Sequence, residues 1–191
     1  LSDILIRSSE TIDLFDTPLF LMRNNGISFE QRLIKRIMDI IISLIVLVIT
    51  SPIMLLVAVA IKLYDGGPVF FTQERCTKDG KVFRIHKFRS MIVDAEKEGK
   101  AIPATENDPR ITPVGRFIRK TRIDELPQMI DILQGNMSVV GPRPERVEHV
   151  KAYTKEIPEF SYRLKVKGGL TGYAQIYGKY NTTAYDKLKL D

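Results

Sequence analysis

Two adjacent carboxylates, Asp124-Glu125, are followed by Leu126-Pro127 and closely preceded by Arg119, Lys120 and Arg122. This order of residue types predicts a helix that starts at Asp124, with Asp124 as its cap, and ends near Leu133 before Gly135. A helix N-terminus favours an anion and keeps a carboxylate ionised. An ionised Asp can attack phosphorus or hold a Mg2+ ion. Most acidic pairs at helix starts are plain caps, so the pair points to this chemistry only in the company of its cations.

Two other segments supply cations. In Pro142-Arg143-Pro144, a proline on each side restricts the backbone, so Arg143 is presented with little freedom left to lose. A guanidinium held in that way suits bidentate phosphate binding. In Lys87-Phe88-Arg89-Ser90-Met91, strand alternation puts Lys87 and Arg89 on one face and Phe88 on the other. Two converging cations there could neutralise a diphosphate. A solvated loop arginine and a polar strand face are the bland readings of these two segments. Three weak signals together give an acid pair and a set of cations. His86 and His149 read as structural, and with the single Cys76 they have no zinc-site spacing.

The elements that must position these residues begin with an uncharged apolar run at residues 40–61, interrupted by Ser51-Pro52. As a straight helix it would reach about 33 Å, enough to cross a bilayer. Pro52 has no N–H for the carbonyl of Val48, and the Thr50 and Ser51 hydroxyls can meet the groups so freed. Arg32, Lys35 and Arg36 precede the run and Lys62 follows it. Positive flanks mark a cytoplasmic side, so both ends on one face imply a turn at Ser51-Pro52. By periodicity alone a kinked transmembrane helix fits equally well.

Residues 1–28 mix apolar and polar groups without a clear period and read as a partly ordered lead-in with a turn signal at Asn24-Asn25-Gly26. Ser28 with Gln31 predicts the start of the long helix, and Asp65-Gly66-Gly67-Pro68 its end. Residues 69–75 and 82–88 read as a β-hairpin around Lys78-Asp79-Gly80. A solvated helix at 91–100, a loop at 101–112 and an amphipathic helix from Thr112-Pro113 to Arg122 follow. Met137–Val140 reads as a strand, 145–156 and 158–165 as helices, Lys167–Gly172 as a loop, and Asn181 as the cap of a last helix. The division is a lead-in at 1–28, a membrane helix at 29–64 and a catalytic domain at 65–191.

Net charge is +6, a sign that favours phosphorylated substrates and an anionic membrane surface. Aromatics are sparse, Trp is absent and no nucleic-acid module is present, so no nucleic-acid partner is expected. One Cys excludes an intrachain disulfide framework and suits a reducing cytosol.

Ser51-Pro52 within its apolar run, Lys87–Met91, Arg119–Gln128 and Met137–Pro144, in that order, resemble the bacterial sugar transferases, monotopic phosphoglycosyl transferases that act on polyprenyl phosphate. The resemblance covers about residues 30–191. Lys167-Gly168-Gly169-Leu170-Thr171-Gly172 resembles the family's Lys-Pro-Gly-Ile-Thr-Gly stretch, with Gly168 where Pro is usual.

The resemblance implies an α+β fold: a re-entrant membrane helix hairpin bent at Ser51-Pro52, plus a small, mostly helical cytosolic catalytic domain with a short β-hairpin. It places the chain on the cytoplasmic face of the bacterial inner membrane. It implies that Asp124 attacks the β-phosphate of a UDP-sugar, releases UMP, and passes the phosphosugar to polyprenyl phosphate, as undecaprenyl phosphate. It implies Mg2+ at Asp124, assistance from Glu125 by positioning or proton transfer, and phosphate binding by Arg143, Lys87, Arg89 and Arg119. Anionic lipid, downstream glycosyltransferases and a second copy of the chain are compatible partners. The non-Met start and residues 1–28 lead to the expectation of a longer parent with further N-terminal membrane helices. The rivals are a metal-dependent glycosyltransferase releasing UDP and a non-catalytic membrane scaffold.

Overall fold

A computed structural model describes residues 9–14 and 17–22 as backbone, and residues 28–93, 95, 108–178 and 183–191 in full. The chain divides into two compact units, Leu1–Met38 and Asp39–Asp191, each described by itself.

In the first unit, β1 (Ser9–Leu14) pairs antiparallel with β2 (Thr17–Met22), Ser9 opposite Met22 and Leu14 opposite Thr17. The hairpin falls within the stretch read as a partly ordered lead-in, where no strand was expected. Polar and apolar residues alternate through Thr11-Ile12-Asp13-Leu14, and a two-residue connection is the common hairpin length. The turn signal at Asn24-Asn25-Gly26 lies outside the described residues. The long helix α1 (Phe29–Asp65) begins in this unit. Its start is the expected capping box: the Ser28 hydroxyl accepts from Gln31 N–H at 3.2 Å and Gln31 Oε1 accepts from Ser28 N–H at 3.0 Å.

In the second unit α1 continues and is helical throughout, Ser51-Pro52 included. Ser51 Oγ donates to the carbonyl of Val48 at 2.8 Å, the group that Pro52 leaves without its amide partner. Thr50 Oγ1 donates to the carbonyl of Val46 at 2.7 Å. Asp39, Ser43, Val57 and Ile61 are buried, and Val46, Leu47, Met54 and Ala58 pack on the domain's two apolar clusters. Their spacing follows the helical period, so one stripe of α1 lies on the domain for about six turns, roughly 33 Å. Ile41, Leu44, Ile45, Val48, Leu55 and Leu56 lie off the stripe and are exposed. By length and composition α1 is the one described helix apolar and long enough to cross a membrane.

The rest of the unit contains β3 (Phe70–Cys76) paired antiparallel with β4 (Val82–Phe88), then α2 (Pro113–Lys120), a 3-10 turn at Ile123–Glu125, and α3 (Gln128–Leu133). β5 (Ser138–Val140), α4 (Val147–Glu156), a 3-10 helix at Pro158–Lys165, β6 (Gly169–Thr171), α5 (Tyr173–Tyr177) and α6 (Ala184–Leu190) follow.

β6 corrects the reading of Lys167–Gly172 as a loop: it pairs in parallel with β5. The two backbones come so close that a Cβ on Gly169 would stand 2.1 Å from the amide nitrogen of Gly141. Residues 158–165 form a 3-10 rather than an α-helix, and Thr183, not Asn181, caps α6. The helix read at 91–100 and the loop at 101–112 lie largely outside the described residues.

Phe83, Ile85, Met129, Ile132 and Met137 form one buried cluster and Phe88, Ile118, Val57 and Ile61 a second. Each joins β4 to a helix, so β4 is the spine on which the carboxylates and α1 are hung.

Candidate active site

Thr112 caps α2 as expected, its hydroxyl accepting from Gly115 N–H at 2.9 Å. Gly115 is needed there, because a Cβ would stand 1.9 Å from the carbonyl oxygen of Ser90. Of the apolar face read into this helix, Ile118 is buried and Phe117 is exposed. The helix stops before Arg122, whose left-handed backbone (φ 60°, ψ 12°) is uncommon for a residue with a side chain.

Arg122 leads into the 3-10 turn that carries Asp124 and Glu125. This corrects the helix start at Asp124. The amides of Glu125 and Leu126 bond to the carbonyls of Arg122 and Ile123, three residues back, and Pro127 precedes the first residue of α3. The electrostatics of Asp124 are therefore set by its neighbours rather than by a helix terminus.

Those neighbours treat the two carboxylates oppositely. Glu125 Oε1 accepts from Lys87 Nζ at 2.8 Å and from Arg143 Nη2 at 2.6 Å. Burial pushes the Glu125 carboxyl up, but the Lys87 ammonium and Arg143 guanidinium outweigh it and hold it at about 2. Asp124 is buried, and its Oδ1 has no hydrogen-bond partner. Burial pushes the Asp124 carboxyl up; Lys87 opposes, Glu125 reinforces, Arg119 and Arg122 oppose, and it stays above the usual carboxylate range.

Arg143 is presented by a loop held at every carbonyl. The carbonyls of Pro142, Arg143, Pro144 and Glu145 accept from Gly169 N–H (2.8 Å), Arg163 Nη2 (3.4 Å), Arg75 Nη1 (3.2 Å) and Cys76 N–H (2.9 Å). The prolines limit the backbone and these bonds fix its place. Burial lowers the Arg75 guanidinium to about 10, against Glu145, which raises it.

The sequence-predicted cations separate. Lys87, Arg119, Arg122 and Arg143 line one cavity of about 530 Å3 with Asp124 and Glu125. Arg119 and Arg122 have no ion-pair partner among the described residues. Arg89 also borders this cavity, but its guanidinium forms a two-pronged ion pair with Asp65 and donates to the carbonyl of Pro68 at 2.6 Å. The predicted convergence of Lys87 and Arg89 on one diphosphate is corrected accordingly. Lys87 turns inward to Glu125, and Arg89 ties β4 to the end of α1.

Sequence reasoning missed Asp39, Asp65 and Asp131. Asp131 is fully buried and accepts from His86, through the backbone N–H at 2.9 Å and at Nδ1 at 2.7 Å. The visible signal was a lone carboxylate inside apolar helical sequence, as in Met129-Ile130-Asp131-Ile132. Among the described residues no three His, Cys, Asp or Glu gather in the way a protein-only metal site requires. One carboxylate oxygen without a partner, at Asp124, is the fit for an ion such as Mg2+, which takes few protein ligands and completes its shell with phosphate and water.

The chain is similar in sequence to known proteins. The UDP-glucose:undecaprenyl-phosphate glucose-1-phosphate transferase of Klebsiella pneumoniae is 47% identical over 173 residues, 91% of this chain and 35% of that protein. The protein of the same description from Escherichia coli is 46% identical over 167 residues, 87% of this chain and 34% of that protein. A putative undecaprenyl-phosphate N-acetylgalactosaminyl 1-phosphate transferase of Bacillus subtilis is 50% identical over 131 residues, 69% of this chain and 73% of that protein. The chain thus spans about a third of the length of the first two relatives. The family model described as bacterial sugar transferase matches residues 30–191, from the start of α1 through the carboxylate pair to the last helix, and the chain belongs to that family.

Proposed function

We propose that this chain transfers a sugar 1-phosphate from a UDP-sugar to a polyprenyl phosphate, through a covalent intermediate on Asp124, with release of UMP. The observation that carries the reading is the contrast between the two carboxylates. Glu125 is bonded to two cations, whereas Asp124, in the wall of a cavity with two guanidiniums unpaired among the described residues, keeps a buried oxygen without a hydrogen bond. A free carboxylate oxygen among cations suits attack on an electrophilic, anionic phosphorus.

An Asp124 oxygen bonds to the β-phosphorus, and the bond from that phosphorus to the bridging oxygen breaks. UMP leaves with the bridging oxygen and its electron pair. A phosphate oxygen of the polyprenyl phosphate then attacks the same phosphorus, and Asp124 leaves as carboxylate. Arg119, Arg122, Lys87 and Arg143 hold the anionic oxygens. Glu125, ionised down to about pH 2, orients Lys87 and Arg143 rather than moving a proton. Asp124 would hold Mg2+, which when bound neutralises the diphosphate of the donor. The printed names of the relatives support both substrates, and they name glucose in two cases and N-acetylgalactosamine in another.

The membrane arrangement belongs to the same reading: α1 lies in the cytoplasmic leaflet and turns back at Ser51-Pro52 without crossing. The stripe packed on the domain over six turns supports the absence of a crossing, since a crossing helix would have to leave that contact, and the turn itself rests on Pro52 and the basic flanks. Phe70, Phe71, Ile92 and Val93 give the Asp124 cavity an apolar rim. Phe88, which also lines it, packs on Val57 and Ile61 of α1, so a polyprenyl chain can approach along the helix.

The test is product analysis with a panel of UDP-sugars and undecaprenyl phosphate. UMP is the expected nucleotide product. With the acceptor omitted, a phosphosugar adduct is expected on the tryptic peptide containing Asp124. UDP as product would establish sugar transfer alone. Turnover that needs both substrates bound together would rule out the covalent intermediate.

A further inference from the structure

A second cavity, of about 570 Å3, adjoins the site, and Asp124 is not part of its wall. Four cations, Arg122, Arg143, Arg163 and Lys187, face two carboxylates, Glu125 and Glu145, in its lining. Its apolar side chains are the small set Leu126, Leu170 and Ala174, with no aromatic ring, whereas the Asp124 cavity carries the phenylalanines of β3. Arg122, Glu125 and Arg143 line both cavities and form the wall between them.

The cations of the second cavity are not equivalent. Arg143 pairs with Glu125, Arg163 with Asp191, and Lys187 with Glu145. Arg122 has no carboxylate partner among the described residues. It alone of the four stands two residues from Asp124, on a left-handed backbone that ordinarily disfavours a side chain. A charge kept unpaired on a strained backbone, where two cavities meet, is placed for an anion that reaches from one to the other.

Resting on the transferase reading, we infer that this second cavity holds the nucleoside and α-phosphate of the donor, with Arg122 receiving the α-phosphate while the sugar phosphate crosses to Asp124. The two substrates have opposite needs. A nucleoside monophosphate is polar and anionic, and cations line both cavities, so its place is decided by where the lipid goes. The polyprenyl chain needs apolar surface and suits the cavity with the phenylalanine rim. When the bond between the β-phosphorus and the bridging oxygen breaks, the electron pair stays on the α-phosphate, and Arg122 meets the charge that develops there. The departing UMP then leaves by a route that the lipid does not occupy.

Photocrosslinking of the full-length protein in detergent micelles with 4-thio-UMP tests the assignment. The label is expected on tryptic peptides within residues 168–187. Arg122→Ala is expected to weaken UMP product inhibition and raise the KM for UDP-sugar about tenfold, with the KM for undecaprenyl phosphate within twofold of the parent. Arg122→Gly, which suits the left-handed backbone, is expected to do the same and guards against misfolding of the alanine variant. Label on peptides from residues 68–95, no label on either segment, or unchanged UMP inhibition in a folded Arg122 variant would each overturn the inference. In an enzyme that releases UMP, any of these leaves the transferase reading standing. Absence of UMP release with every UDP-sugar removes both.

Discussion

Glu125 shares one carboxylate oxygen between Lys87 and Arg143, while the Oδ1 of its neighbour Asp124 bonds to nothing. The difference has opposite consequences for stability. A carboxyl raised by burial favours its neutral form, so the stability it contributes is present at low pH and lost as pH rises through the raised value. At neutral pH the ionised Asp124 is therefore a burden on the fold. Asp124→Asn is expected to abolish turnover and raise Tm by a few degrees. Glu125, held at about 2, contributes stability above the ordinary Glu value near 4.3, and that is lost as pH falls toward 2. Glu125→Gln leaves Lys87 and Arg143 without their carboxylate and is expected to lower Tm, by about 3 kcal/mol of stability. Thermal unfolding of both variants at neutral pH and at pH 3 checks the signs. A lower Tm for Asp124→Asn would mean that its carboxylate has a partner in solution.

The same displacement sets the acid limb of the reaction. On the proposed mechanism the first half-reaction needs ionised Asp124, so the UMP burst without acceptor is expected to fall on acidification at a pH above the ordinary Asp value near 3.9. Arg119 favours the ionised form through space. Arg119→Ala is expected to move the limb to higher pH, and Arg119→Lys to restore most of the parent profile. A limb that stays in place in Arg119→Ala would separate that cation from Asp124.

Much of the site was legible because its chemistry sits in short segments. Asp124-Glu125, Arg143 between prolines and Lys87 at a strand end could be read without tertiary structure. The partners of Asp39, Asp65 and Asp131 could not, because each is distant in sequence: Ser138, Arg89 and His86. The helix start at Asp124 failed for a local reason. The residue pattern of an N-cap is also that of a 3-10 turn, and the left-handed Arg122 decides between them. β6 was hidden because Gly168-Gly169 reads as a turn, yet Gly169 serves there to let two parallel strands touch. The capping box at Ser28 and the hydroxyl contacts around Pro52 are local and were readable.

Asp39 ties α1 to the strand that leads to the Arg143 loop. Its carboxylate accepts from Ser138 Oγ at 3.0 and 2.9 Å and from Val139 N–H at 2.9 Å. Asp39→Ala strands a buried hydroxyl and amide and is expected to cost on the order of 3 kcal/mol, with Asp39→Asn intermediate. Chemical denaturation in micelles measures this. A cost under about 0.5 kcal/mol for Asp39→Ala would show that α1 is held by its apolar stripe alone.

The last prediction concerns Ser51 and Pro52. In hydrocarbon the carbonyl of Val48 has no water to replace the amide that Pro52 lacks, and Ser51 Oγ meets it at 2.8 Å. Ser51→Ala alone is expected to destabilise by about 1–3 kcal/mol, because the carbonyl is left bare. Adding Pro52→Leu returns an N–H to that carbonyl and is expected to recover the loss, at the expense of the proposed turn. Topology is read with Glu30→Cys in a Cys76→Ser background, labelled in intact cells by a reagent that cannot enter. With Ser51-Pro52 present, the proposed turn-back puts residue 30 on the cytoplasmic side, and it is expected to stay unlabelled until the cells are opened. In the double variant carrying Ser51→Ala and Pro52→Leu, a labelled fraction is expected in intact cells, as the straightened helix can now cross. Labelling from outside in the Ser51-Pro52 background would show that α1 already spans the membrane, and the turn-back would have to be abandoned.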